Sequence, residues 1–165
     1  MSIPLNFPLS YDRTLGYDIL VTQYFGQNFW SKYKEWGLLG HNGVDIRCAV
    51  GTPVYASHDG IVTKVIEENV CVQGKGRGIG IYLRSKEPAG GLYLVTIYWH
   101  LSQFLVDTNQ EVKRGQLIGH SGDTGCSTGP HLHFGKKYLD LSFNTINHGN
   151  GYGGYIDPVP ELRML

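Results

Sequence analysis

Seven histidines, at positions 41, 58, 100, 120, 131, 133 and 148, are the side chains of this 165-residue chain best suited to chemistry near neutral pH, because imidazole there can bind a metal or move a proton. Two of them stand two apart in His131-Leu132-His133, directly after the turn-rich run SGDTGCSTGP. In a strand, side chains two apart share a face, so His131 and His133 project together while Leu132 points the other way. A solvated edge strand would carry the same pair without consequence, but a second segment favours a shared site. In GHNGVD, His41 and Asp45 are four apart. Gly40, Asn42, Gly43 and Val44 are poor helix formers, so this segment reads as a loop entering a strand, and a loop can wrap a metal. Zinc takes imidazole nitrogen at roughly 2.0–2.1 Å and carboxylate oxygen at roughly 2.0–2.2 Å, and its catalytic sites use three protein ligands plus a water. His41, Asp45 and one further histidine fill that quota. Such a set leaves the ion net positive character, enough to acidify its water toward neutrality.

The elements that must position these groups are short strands. Glycine, at 23 residues, is about twice its average usage, and it falls between β-branched and aromatic runs, the pattern of many tight turns. Strands are expected at Pro53 to Ser57, Ile61 to Ile66, Gly80 to Arg84, Tyr93 to Trp99, Leu117 to Gly119 and His131 to Phe134. Asp59-Gly60 reads as a two-residue hairpin turn joining the first two of these. The best helical segment is short, Asn28 to Trp36. The expectation is a mostly β fold, a single small domain with a central antiparallel sheet and few short helices.

Composition removes several function classes. Lysine plus arginine equals aspartate plus glutamate, 14 against 14, so there is no basic field to attract nucleic acid, and no nucleic-acid partner is expected. No apolar run approaches the roughly 20 residues of a membrane span, so no membrane insertion is expected. The opening MSIPLNFPLSYDRTLGYD shows neither the basic nor the apolar region of a signal peptide. Cys48, Cys71 and Cys126 are odd in number and form no CxxC, so they are read as reduced thiols, with Cys126 a bystander near the site. HExxH and Walker patterns are absent, the glycines of GKGRGIG have the wrong offsets for a dinucleotide loop, and no His-x-Glu with a downstream CxxC marks a nucleobase deaminase.

Taken in order, VTQYFGQN, GHNGVDI, GTPVYASHDGIV, YWHLSQF, KRGQLIGHSGDTGCSTGPHLHF and YIDP resemble the lysostaphin-type (LytM-like) zinc metalloendopeptidases that cut peptidoglycan cross-links. The resemblance runs from about Val21 to Pro158, with residues 1–20 set apart as an N-terminal extension and 21–165 as the domain. It implies an open substrate groove over the antiparallel sheet. It implies one Zn²⁺ per chain, held by His41, Asp45 and His133, with His131 and His100 as the catalytic pair. His131, placed beside His133 by strand alternation, is expected to be the general base, and His100 to orient the water or stabilise the oxyanion. The implied partner is a peptidoglycan peptide at the bacterial cell wall, extracellular or periplasmic, cut through a metal-activated water. Alternatives of the same family are a non-catalytic peptidoglycan-binding or amidase-regulating member and a phage lysin or virion component, which the missing signal peptide also suits, as it suits a trimmed domain.

Further site expectations follow from position. Tyr98 would share a face with His100 in a regular strand and turn its hydroxyl to substrate, and His148, in NTINHGNGYGGY, would border the groove. Tyr24, Phe25 and Trp30 read as a groove wall or as core aromatics, and His58 and His120 as surface residues. Between HLHF and YIDP the chain carries GKKYLDLSFNTINHGNGYGG, longer than the family's direct run into a closing strand, so the groove's shape is expected to be its own. The family divides between pentaglycine bridges and bonds of D-alanine and diaminopimelate, and overall charge does not choose between them.

Overall fold

The computed structural model describes residues 3–10, 20–72 and 76–163. Its strands are β1 (Leu5–Asn6), β2 (Val21–Gln23), β3 (Val44–Arg47), β4 (Pro53–Tyr55), β5 (Gly60–Glu67), β6 (Ile79–Arg84), β7 (Tyr93–Phe104), β8 (Glu111–Val112), β9 (Leu117–Ser121), β10 (His131–Leu139), β11 (Tyr155–Ile156) and β12 (Leu162–Arg163). One α-helical turn, α1 (Lys32–Glu35), occupies part of the expected Asn28 to Trp36 segment. The main sheet runs β2-β3-β10-β7-β6-β5-β8, with β11 on β10 and with β9 joining β7 to β4. All its pairings are antiparallel, so the expected mostly β fold forms. Of the N-terminal extension, residues 3–10 pack against this sheet: β1 pairs in parallel with β12, and Leu5, Phe7 and Leu9 are buried in the main core. Residues 11–19 lie outside the described residues.

β7 and β10 form the centre and are buried on both faces, and strand alternation divides their side chains between two clusters. Leu94 and Tyr98 of β7 join Leu132 and Phe134 of β10 in the main core. Val95, Ile97 and Trp99 turn to the opposite face, where Tyr155 closes a smaller cluster with Phe25, Tyr82 and Tyr152 packed on it. That second face is the one on which His131, His133, Gly135 and Lys137 project from β10.

Two local expectations are corrected. The Asp59-Gly60 hairpin does not form, because β4 pairs with β9 and β5 with β6 and β8. Tertiary hydrogen bonds shape the bend instead: Asp59 Oδ1 accepts from the Arg114 amide at 2.8 Å, and His58 Nδ1 donates to the Asp59 carbonyl at 2.8 Å. His58 is therefore not a surface residue. It is 1 % exposed and hydrogen-bonded to Thr96 Oγ1, and burial pushes its imidazole down to about 4, so it is neutral in the fold.

Candidate active site

Pairing register brings the first three groups together. His133 of β10 lies directly opposite Asp45 of β3, and the loop before β3 delivers His41, whose amide donates to the Gln27 carbonyl and whose carbonyl accepts from the Gly26 amide. His133 Nδ1 is 3.0 Å from both His41 Nε2 and Asp45 Oδ1, and His41 Nε2 is 3.1 Å from the same carboxylate oxygen. The glycine of GHNGVD explains how the ring seats so closely. A Cβ on Gly43 would stand 2.7 Å from His133 Nε2 and 2.6 Å from the Phe134 carbonyl, so only glycine lets the β3 loop lie flat on this imidazole and leave Nδ1 facing the cluster.

The other two histidines approach from opposite sides. A carbonyl oxygen only accepts, so each Nδ1 that meets one must carry a proton, and in the neutral ring Nε2 then keeps the free lone pair. His131 Nδ1 donates to the Gly129 carbonyl at 2.7 Å, with Ser127 Oγ at 3.2 Å, and its Nε2 lies 3.5 Å from Asp45 Oδ1. His100 Nδ1 donates to the Thr124 carbonyl at 2.7 Å, and its ring lies 4.7 Å from that of His131. Burial first, then the neighbouring His131 imidazole, pushes His100 down to about 4, so it rests as a neutral acceptor.

His100 reaches the site because β7 is irregular there. Ile81 faces Tyr98 and Ile79 faces Leu101, so Trp99 and His100 together oppose only Gly80, which is a β-bulge. His100 takes φ 63°, the left-handed region that non-glycine residues rarely visit. A Cβ on Gly80 would come 2.7 Å from Trp99 Cδ1, so glycine makes room for the bulge. The Tyr98 expectation fails for the same reason. The bulge turns Trp99 and His100 both toward the groove, while Tyr98 is wholly buried in the core, its hydroxyl accepting the Ser57 amide at 2.9 Å and bonded to Thr96 Oγ1 at 3.1 Å.

The five groups line a groove of about 1200 Å³. Trp30, Tyr33 and Trp36 make one wall, in mutual edge-to-face contact, so the expectation for Trp30 holds as a wall residue. Phe25 instead packs on Tyr152, with ring centres 4.6 Å apart, and the Tyr24 carbonyl faces His41 Nδ1 at 3.3 Å. The long stretch after β10 supplies another wall, where exposed His148 borders the groove with Thr145, Gly151 and Tyr155. The reading of three reduced thiols is corrected: Cys71 and Cys126 form a disulfide, and Cys48 is free. The two are 55 residues apart, but the loops before β6 and β10 lie against each other, the Cys126 amide donating to the Gly76 carbonyl at 2.9 Å. Trp99, stacked on His133 at 4.7 Å and 14°, and Thr124, which anchors His100, are contributors that sequence reasoning missed.

The donor set suits a divalent cation. A tetrahedral ion with bonds of roughly 2.0–2.1 Å holds its ligand atoms about 3.3 Å apart, and His41, Asp45 and His133 already converge to 3.0–3.1 Å. Burial pushes His133 down to about 3. Burial would raise Asp45, but its hydrogen bonds with His133 and His41 outweigh that and hold it well below the usual carboxylate range. Neutral imidazole and ionised carboxylate are the forms a metal requires. Tyr33, beside His41 at 6.1 Å, is raised to about 12 by burial and by the charge of Asp45, so it stays a neutral phenol.

Known proteins share this arrangement of sequence and fold. The chain is 40 % identical over 123 residues to a protein of Staphylococcus capitis named glycyl-glycine endopeptidase ALE-1, covering 74 % of this chain and 29 % of that protein. It is 46 % identical over 94 residues to the peptidoglycan DD-endopeptidase ShyA of Vibrio cholerae, covering 57 % of this chain and 19 % of that one. It thus spans less than a third of the length of these curated relatives. The structure superposes on the catalytic domain of lysostaphin from Staphylococcus simulans with a TM-score of 0.65 at 30 % identity, covering 87 % of this chain and 92 % of that domain. The sequence pattern of Peptidase family M23 matches residues 39–155, from just before His41 through the last groove tyrosine, and the chain belongs to that family.

Proposed function

We propose that this chain is a zinc-dependent endopeptidase that hydrolyses peptide bonds in the cross-links or stems of bacterial peptidoglycan. The observation that carries the reading is the convergence of His41 Nε2, Asp45 Oδ1 and His133 Nδ1, with two further imidazoles whose Nδ1 protons are committed to carbonyls. His41, Asp45 and His133 would hold one zinc ion. When bound, zinc supplies a Lewis acid that polarises a peptide carbonyl and lowers the pKa of a water to about 7.

The remaining chemistry belongs to the chain. His131 Nε2 accepts the proton of the attacking water, and its Nδ1–H stays fixed on the Gly129 carbonyl, so the ring keeps its orientation as it becomes charged. His100 Nε2 accepts a second hydrogen bond and orients that water, and the proton on His131 then passes to the leaving amine. The edge-to-face aromatics on one side and the 140–155 segment on the other hold an extended peptide across β7 and β10, with His148 at the rim.

The test is hydrolysis of a diaminopimelate-type and a pentaglycine-type peptidoglycan, with and without chelator, reading the new termini by mass spectrometry and the zinc content by elemental analysis. Chelator-sensitive cleavage is expected. His41→Ala or Asp45→Ala should lose zinc and activity together, whereas His131→Ala should keep zinc and lose at least about a hundredfold in turnover. No cleavage of either wall by the zinc-loaded protein would replace the enzyme reading with a binding or regulatory one.

A further inference from the structure

Two cations stand in the groove without an ion-pair partner among the described residues. Arg77, exposed on the loop entering β6, lies over the Trp99 ring at 5.2 Å, and Lys137, half-buried on β10, lies over the Tyr155 ring at 5.4 Å with Nζ 3.3 Å from Thr145 Oγ1. The two rings are 6.0 Å apart, so the cations flank one aromatic floor. Among the described residues neither forms an ion pair, although carboxylates elsewhere do, as in Lys86–Glu111 and Lys136–Glu161. The groove also holds Glu35 and Glu68, and neither reaches these two cations within ion-pair distance. Burial and the nearby Arg77 charge both lower the Lys137 ammonium from its ordinary value, which fits two like charges sharing one corner without a counter-ion. A half-buried ammonium near a guanidinium is a place where an incoming anion gains from both charges.

Position relates this corner to the metal cluster. Trp99 stacks on His133, so the guanidinium is no more than about 10 Å from that imidazole, and an extended peptide advances roughly 3.3–3.6 Å per residue. The corner therefore meets a group within about three residues of the bond being cut.

We propose that Arg77 and Lys137 form a carboxylate subsite, and that the peptide cut here carries a free carboxylate at that distance from the scissile bond. This rests on the endopeptidase reading and narrows it, since a bridge of glycines alone offers no charge to this corner. Arg77 is suited to a planar, bidentate partner and Lys137 to a point charge beside it. The carboxylate has two possible sources, a side-chain carboxyl of the stem peptide or the C-terminal carboxyl of the chain, and both present the same group.

The test uses the zinc-loaded protein and two pairs of cross-linked peptides, each pair a free acid and its carboxamide. One pair differs at a side-chain carboxyl with the C-terminus blocked, the other at the C-terminus alone. The expected result is that kcat/KM favours the acid about tenfold to a hundredfold in one pair, which names the source. In the Arg77→Gln, Lys137→Gln double variant, acid and amide should be cut within about twofold of each other, at unchanged zinc content. Lys86→Gln, at a solvent-exposed pair with Glu111, should keep the preference. If the double variant fails to fold, Arg77→Gln alone carries the comparison. Equal kcat/KM for acid and amide in both pairs, or a preference that survives the double variant, overturns the subsite and leaves the endopeptidase intact. If nothing is cleaved, the endopeptidase reading fails, and calorimetry with the same peptides still decides the subsite: tighter binding of the acid, lost in the variant, supports it, and equal binding overturns it.

Discussion

His100 is held at φ 63° by its surroundings rather than by its own preference. A left-handed conformation costs a non-glycine residue roughly 1–2 kcal/mol, and here the Thr124 carbonyl on Nδ1 and the two-against-one bulge opposite Gly80 impose it. His100→Gly and His100→Ala should both lose turnover, since each removes the imidazole. They should differ in stability, the glycine variant being more stable to urea unfolding by a free energy of about 1 kcal/mol because it adopts this φ freely. An alanine variant as stable as the glycine one would mean that the site stores no backbone strain. The same bulge marks what the sequence could and could not reveal. His131 and His133 were legible as neighbours because β10 keeps its period of two through both. The same rule misplaces Tyr98 because the period breaks one residue later, and the residue that permits the break, Gly80, sits on another strand where nothing local announces its purpose.

At the scale of elements, the segment 121–130 acts as a bracket for the two histidines outside the His41–Asp45–His133 cluster. Thr124 Oγ1 accepts from the Ile79 amide at 2.9 Å and donates to the Leu101 carbonyl at 2.7 Å, tying β6 to β7 at the bulge, while its carbonyl orients His100. Gly129 and Ser127 orient His131. Cys126 lies between these anchors, and its bond to Cys71 fastens the bracket to the loop that carries Arg77. Removing a disulfide that closes a loop of this length costs about 2–4 kcal/mol. Cys71→Ser with Cys126→Ser should lower stability by that amount and reduce turnover, while zinc content should match that of the unsubstituted protein, because His41, Asp45 and His133 are held by β3, β10 and the loop before β3. Zinc analysis beside initial rates separates the two effects, and unchanged rates would show that the bracket keeps its shape without the bond. Cysteine spacing alone could not foresee this pairing, since only the apposition of two distant loops creates it.

On the scale of the whole molecule, the underside of the site is braced by the first residues of the chain. Leu5, Phe7 and Leu9 are buried in the same cluster as Val44 and Ile46 of β3 and Leu132 and Phe134 of β10, the apolar residues that alternate with Asp45 and His133. A ligand-bearing strand keeps its register only while its inward face stays packed, because a slip of one residue would turn every side chain over. Each of the three side chains contributes roughly 1.5–3 kcal/mol by burial, against a total stability of about 5–15 kcal/mol for a domain. Leu5→Ala alone should cost about 2–5 kcal/mol. Deleting residues 1–10 removes all three and the β1–β12 pairing, and should lower the melting temperature by more than about 10 °C. Zinc should partly restore it, because an ion that binds only the folded state adds stability that grows with the logarithm of its excess over Kd. Melting curves of both variants with zinc and with chelator check this. A truncated chain that melts like the intact one would mean that β3 and β10 hold the ligands in register without their apolar backing.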